Sequence, residues 1–64
     1  MKDYNYTITS SEGESAVSFT FEVALEHARK LCNGTNKVAT ISCNKGHFKE
    51  SYKWDFEMDD LVTA

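Results

Sequence analysis

The sequence predicts a single α+β domain, in the order ββαββ, with one helix packed on one face of a four-stranded, largely antiparallel sheet. Two observations indicate this fold. Residues before 21 and after 37 alternate apolar and polar side chains as half-buried strands do, and the intervening residues repeat apolar side chains with a helical period. A length of 64 residues suits one small hydrophobic core, so residues 1–64 are expected to form one domain.

The first two strands are predicted to form a hairpin around residues 10–14, where serine, glutamate and glycine interrupt the alternation. Every second residue of each strand is apolar and is expected to face the core. These residues are Tyr4, Tyr6 and Ile8 in the first strand and Val17, Phe19 and Phe21 in the second.

The helix is predicted to follow Thr20 as its N-cap and to end before Gly34. Arg29 and Lys30 lie near its C-terminus, as the helix dipole favours. Its apolar side chains recur at intervals of three and four residues and form one stripe. They are Phe21, Ala24, Leu25, Ala28, Leu31 and Cys32.

The second hairpin is predicted to turn at Lys45-Gly46, and this turn sets the register of its strands. The implied pairs are Cys43 with Phe48, Ile41 with Glu50, and Ala39 with Tyr52. The last strand is expected to bury Phe48, Tyr52, Trp54 and Phe56. Glu50 departs from the pattern and indicates a bulge or an edge position. Residues 57–64 are predicted to be an acidic tail.

The sheet face that the helix leaves uncovered is expected to be open and polar. Its predicted members are Asn5, Thr7, Thr9, Ser18, Thr20, Thr40, Ser42, Lys49, Ser51 and Lys53. A core this small seldom supplies more than about 3–5 kcal/mol of stability, so dimerisation is a reasonable supplement.

The composition disfavours an enzyme. The chain is too short for the large nucleotide-binding folds and contains no glycine-rich phosphate loop. No cysteine–histidine or paired-carboxylate arrangement has the spacing of a catalytic pair, so neither catalytic residues nor a cofactor are expected. A cytoplasmic location is expected, because no basic segment precedes an apolar stretch near residue 1 and no apolar run is long enough to span a membrane.

Two cysteines and two histidines raise the alternative of a zinc site. His27 and Cys32 are five residues apart on the helix and point in different directions, while Cys43 and His47 are predicted on opposite faces of the sheet. No metal site is therefore expected. A disulfide between Cys32 and Cys43 is geometrically conceivable, but a cytoplasmic protein is expected to keep both thiols reduced.

Charge is segregated along the chain, whose formal net charge is −3. Five acidic residues and one lysine lie in residues 1–28, six basic and one acidic residue lie in 29–53, and four acidic residues lie in 54–64. Such blocks steer a charged partner, although helix-dipole preferences and cross-strand pairing also produce them. Lysines with aromatic neighbours in the last strand raise nucleic-acid binding as an alternative, but the alternation places the aromatic residues on the other face.

The element order between Tyr4 and Phe56 resembles that of small phage-encoded inhibitor proteins, which include anti-CRISPR proteins and inhibitors of bacterial RNA polymerase. The segments that carry the helix and the third strand, 19–31 and 38–41, are also common to other small domains of this layout. The resemblance implies a stoichiometric inhibitor that binds a host protein or nucleoprotein complex, in the host cytoplasm, without turnover.

The sequence therefore predicts a non-enzymatic protein-binding module. A nucleic-acid-binding or transcription-regulatory protein is the first alternative, and a homo-oligomeric accessory protein that pairs through an edge strand is the second. The predicted partner-binding residues form a basic group and an acidic group. They are Lys37, Lys45, His47, Lys49 and Lys53, with Asp55, Glu57, Asp59 and Asp60.

Overall fold

The computed structural model describes residues 5–46 and 48–64. Within these residues the chain forms one helix and five strands. They are β1 (Tyr6–Ser10), β2 (Ser15–Ser18), α1 (Phe21–Cys32), β3 (Val38–Cys43), β4 (Lys49–Asp55) and β5 (Asp60–Thr63). All strand pairs are antiparallel, and the sheet order is β2-β1-β3-β4-β5. The predicted α+β fold is confirmed, whereas the prediction of four strands is wrong.

The fifth strand lies within the segment predicted as an acidic tail. Asp55 pairs with Asp60 and Trp54 pairs with Leu61 across the β4–β5 hairpin. Leu61 packs against the hydrophobic core beside the buried Trp54. Residues 57–64 thus complete a tight turn and form a short strand, and their acidic residues lie in the turn and at the first position of β5.

The predicted register of the second hairpin is confirmed. Ile41 pairs with Glu50, and the Cys43 N–H donates to the Phe48 carbonyl at 3.3 Å. The β3–β4 ladder contains no extra residue, so Glu50 is not a bulge. Glu50 precedes Tyr52, which is the first β4 residue that pairs with β5. At Glu50, β4 therefore pairs with β3 on one side only, which is an edge position.

The helix begins and ends as predicted. The Thr20 side-chain oxygen accepts a hydrogen bond from the Val23 N–H at 3.1 Å, which satisfies one of the free amides of the first turn. At the other end the Asn33 N–H donates to Arg29 O, and Gly34 has a φ of 70°. Glycine adopts this left-handed conformation without the strain that a Cβ would cause.

The core lies between α1 and the sheet. Small residues on the helix, Ala24 and Ala28, allow it to approach the isoleucines of β1 and β3 closely. The buried apolar residues are Ile8, Ala24, Ala28, Cys32, Ala39, Ile41 and Trp54. Ile8 and Ile41 pair across the β1–β3 ladder and are completely buried.

The predicted inward face of β2 is wrong. Ile8 pairs with Ala16, so Ala16 and Ser18 face the helix, whereas Val17 and Phe19 are 59% and 79% exposed. β2 ends at Ser18, whose buried hydroxyl donates to the Thr20 carbonyl at 2.6 Å and so needs no partner in water. Phe21 is predicted both in this strand and in the helical stripe, and it is the first residue of α1, so only the helical assignment is confirmed.

The aromatic residues that flank β4 also differ from the prediction. Trp54 is buried and Tyr52 packs against the core, as expected. Phe48 and Phe56 lie just outside the strand and are 40% and 61% exposed. Phe48 makes an edge-on contact with Phe21, with ring centroids 5.4 Å apart. Tyr4, the first predicted core residue, lies outside the described residues.

Candidate functional site

The face of the sheet opposite α1 carries hydroxyl groups and lysines. Because Ile8 and Ile41 point toward the helix, their neighbours in β1 and β3 point the other way. We call this the open face, and it includes Thr7, Thr9, Thr40, Ser42, Lys49, Ser51 and Lys53. The hydroxyls of Thr40 and Ser51 lie 3.0 Å apart and hydrogen-bond across β3 and β4.

Three residues predicted on the open face are placed differently in the structure. Ser18 faces the helix and is buried, so its assignment is wrong. Thr20 follows β2 and caps α1, so it is wrong as well. Asn5 precedes β1, and its N–H donates to the Asn44 side-chain oxygen at 2.8 Å.

Two basic residues of the middle segment are held by acidic residues of the same chain. Lys37 Nζ lies 3.0 Å from Glu14 Oε1 and 3.9 Å from Glu12 Oε1. Arg29 Nε lies 3.1 Å from Asp60 Oδ1. The hydrogen bond with Glu14 raises the pKa of Lys37, and the same bond lowers the pKa of Glu14. Lys37, a predicted partner-binding residue, is thus engaged within the chain.

The other predicted lysines are placed differently. Lys45, Lys49 and Lys53 are exposed, and the part of the chain that the structure describes offers none of them an ion pair. Lys49 and Lys53 lie on the open face on either side of Ser51, about 13 Å apart at the usual strand rise. Lys45 lies in the turn that precedes β4. His47, predicted beside them, is outside the described residues.

The predicted acidic residues surround the β4–β5 turn, and two of them build it. Asp55 Oδ1 accepts hydrogen bonds from the N–H groups of Glu57 and Met58, at 2.8 and 3.2 Å. Asp59 has a φ of 57°, and its N–H donates to the Asp55 carbonyl. The Asp60 carboxylate accepts hydrogen bonds from the Leu61 N–H and from Arg29 Nε, and both hydrogen bonds lower the pKa of Asp60.

The same turn exposes two large apolar side chains. Phe56 and Met58 are 61% and 66% exposed, and they alternate with the exposed carboxylates of Glu57 and Asp59. The sequence prediction missed this arrangement because it assigned Phe56 to the core. A signal was present, since Asp-Phe-Glu-Met-Asp-Asp is a polar-rich run of the kind that forms turns.

The two thiols are not joined by a disulfide. Cys32 and Cys43 are both free, and burial raises the pKa of the Cys32 thiol. Among residues 5–46 and 48–64, no three metal-ligating side chains come together, and no pocket forms. No helix in these ranges is long and apolar enough to cross a lipid bilayer. The polar groups that a partner could contact therefore lie on the open surface of the described residues.

Comparison of the chain with protein-family models, with curated proteins and with solved structures gives no match.

Proposed function

We propose that the protein is a non-enzymatic module that binds an acidic surface of another protein through the open face of its sheet. One observation carries this proposal. The chain pairs Lys37 and Arg29 internally but leaves Lys45, Lys49 and Lys53 exposed on or beside the open face. These three lysines define the surface that we call the lysine edge.

Charge and hydrogen bonding favour an acidic partner at this surface. Lysines on a strand present their ammonium groups to solvent and attract carboxylates over roughly a Debye length, about 8–10 Å at physiological salt. The neighbouring hydroxyls of Thr40, Ser42 and Ser51 donate and accept hydrogen bonds, so they suit a partner with mixed polar groups. Complementary charge of this kind sets the rate of association and the register of the complex.

The aromatic side chains favour a protein partner over a single-stranded nucleic acid. Proteins that bind single strands stack bases on aromatic rings displayed beside the basic residues. Here Tyr52 and Trp54 pack against the hydrophobic core on the helix side, whereas Lys49 and Lys53 lie on the open face. The lysine edge thus has cations without an adjacent stacking platform in β4.

A viral inhibitor is the biological role that we propose for this module. In this role a chain of 64 residues acts by occupying a surface of a host protein or nucleoprotein complex, in the cytoplasm of the host cell. This proposal rests on the order of the elements from β1 to β4 and on the small size of the domain, which resemble those of phage-encoded inhibitors such as anti-CRISPR proteins.

The experiment uses tagged protein to capture partners from a bacterial lysate, followed by nuclease treatment and affinity measurement with the purified partner. Lys49→Gln/Lys53→Gln is expected to weaken binding about tenfold or more, because two complementary charges are lost. Lys30→Glu changes the net charge equally on the helix and is expected to bind as the wild type does. Wild-type affinity in the double variant contradicts the assigned surface, and loss of binding after nuclease treatment favours nucleic-acid recognition.

A further inference from the structure

The outer edge of β2 has hydrogen-bonding groups that no part of the described chain uses. β2 is the first strand of the sheet and pairs only with β1. The Ser10 N–H donates to Glu14 O at the hairpin turn, so the hydrogen-bonded pairs recur at every second residue from there. Thr7 and Val17 form a non-hydrogen-bonded pair in this alternation. The N–H and C=O of Val17 therefore point away from β1, toward the free edge.

This edge lacks the features that usually prevent strands from pairing with other chains. Natural edge strands commonly carry lysine, proline or a bulge. Residues 15–21 contain no charged residue and no proline. Val17 and Phe19 expose 59% and 79% of their surfaces there. The opposite edge differs, because β5 begins with Asp60, which binds Arg29.

We propose that β2 pairs antiparallel with β2 of a second copy of this chain, about a two-fold axis at Val17. In this register Val17 faces Val17 of the second copy, Ala16 faces Ser18, and Ser15 faces Phe19. Each Val17 N–H donates to the Val17 carbonyl of the other copy, which uses the outward-pointing groups of both strands. Directly paired residues lie on the same side of a sheet, so the two exposed valines meet on the open face.

The chemistry of the edge selects a second copy as the occupant. The edge of β2 is uncharged and carries exposed apolar side chains. A strand that pairs with it should therefore also be uncharged, and β2 itself meets this requirement. A two-fold axis makes the contact self-complementary and closes it, so each dimer uses its β2 edges completely. The remaining outer edges are the β5 strands, where the carboxylate of Asp60 opposes further growth.

This inference is independent of the proposed function, because the lysine edge lies three strands away from β2. Pairing would join two sheets into one of ten strands, with both helices on one side and both lysine edges on the other. The contact made by a four-residue strand is small, so we expect a weak dimer that forms only at high protein concentration.

Sedimentation equilibrium from about 10 μM to 1 mM tests the proposal, across the range expected for a weak interface. The wild type is expected to rise from the monomer mass of 7.3 kDa toward twice that value. Val17→Lys is expected to remain monomeric, because it places two ammonium groups opposite each other at the axis. Thr9→Lys adds the same charge on the same face of the inner strand β1 and is expected to dimerise.

Amide hydrogen exchange of the unmodified chain gives a second measurement that does not depend on a variant. The Val17 N–H is expected to gain protection as the protein concentration rises, because it becomes hydrogen-bonded only in the dimer. A wild type that remains at 7.3 kDa up to 1 mM overturns the proposal. So does a Val17→Lys variant that folds and still dimerises, or dissociation caused by Thr9→Lys alone, since both place the interface elsewhere.

Discussion

Lys37 reaches across the end of the sheet to Glu14, and its Nζ lies 3.0 and 3.2 Å from the two carboxylate oxygens. The pair joins the residue before β3 to the residue before β2. Ser10 donates a further hydrogen bond to Glu14 at 2.9 Å. The basic middle of the sequence and its acidic first segment are thus connected within the fold, and some of the segregated charges form ion pairs with each other.

Acid is expected to weaken the fold through Glu14. Its pKa is lowered by hydrogen bonds from Lys37 and Ser10, so the ionised carboxylate stabilises the folded state above the unfolded pKa of about 4.3. That contribution disappears as the pH falls through the lower folded value. Glu14→Gln is expected to be less stable than the wild type at pH 7 and to lose less stability on acidification.

Urea titrations at pH 7, 5 and 3, followed by Trp54 fluorescence, measure this difference. Glu26→Gln makes the same substitution at an exposed site on α1 and controls for the loss of one negative charge. Parallel loss of stability in wild type and Glu14→Gln between pH 5 and 3 would contradict the prediction.

Shortening the central isoleucines is expected to destabilise the domain. Ile8 and Ile41 pair across β1 and β3 and are completely buried. Ile8→Val and Ile41→Val are each expected to reduce the free energy of unfolding by about 0.5–1.5 kcal/mol, because each removes one buried methylene. The double variant is expected to deviate from additivity, since the two sites share a packing contact.

Urea unfolding at pH 7 measures the single and double changes. Met58→Ala shortens a residue that is 66% exposed and is expected to change the free energy of unfolding by less than about 0.5 kcal/mol. A cost for Met58→Ala as large as that of the isoleucine variants would mean that burial does not decide these effects.

Removal of the helix cap is expected to cost stability. The Thr20 side-chain oxygen accepts the Val23 N–H at 3.1 Å. Thr20→Ala leaves that amide to water and is expected to lower the free energy of unfolding by about 1 kcal/mol. Thr20→Ser keeps the oxygen and is expected to retain most of the wild-type stability in the same urea titration. Equal loss in both variants would assign the effect to the missing methyl group rather than to the cap.

The two thiols are expected to react at different rates. Cys32, the last residue of α1, is completely buried, and burial raises its pKa, so its thiolate is scarce and inaccessible. Cys43 is only partly covered. In native protein at pH 8, an aromatic disulfide reagent is expected to modify Cys32→Ser rapidly, through Cys43, and Cys43→Ser slowly, through Cys32. Both variants should react at similar rates in concentrated urea, and similar rates in native buffer would disprove the difference in accessibility.

Patterns that lie within one element could be predicted from the sequence. The stripe from Phe21 to Cys32, the Thr20 cap and the register of the second hairpin depend on neighbouring residues, and the structure confirms them. Alternation alone could not show which face of β2 is turned to the helix. Ala16 and Ser18 lie on one face and Val17 on the other, and the larger apolar side chain is on the exposed face. Only the pairing of Ile8 with Ala16 decides which side faces the helix.

The sequence predicts which residues belong to the candidate surface, but it does not predict which of them form ion pairs within the chain. Lys37 and Lys53 are indistinguishable in the sequence, yet Lys37 binds a glutamate 23 residues away and Lys53 stands exposed. Such pairing depends on distances that arise only after the strands assemble. β5 was missed for a related reason, since its adjacent Leu61 and Val62 show no alternation and gain their order by pairing with β4.

The β1–β3 ladder also governs how the chain acquires its structure. The β1–β2, β3–β4 and β4–β5 pairs are local hairpins. Ile8 and Ile41, in contrast, pair only when the segment between β1 and β3, which contains β2 and α1, has closed into a loop. That closure carries the largest loop entropy in the sheet, and ordering α1 shortens the loop that must be closed. The two halves of the molecule are therefore expected to nucleate separately, with a folding rate set by the moment when the first and third strands join.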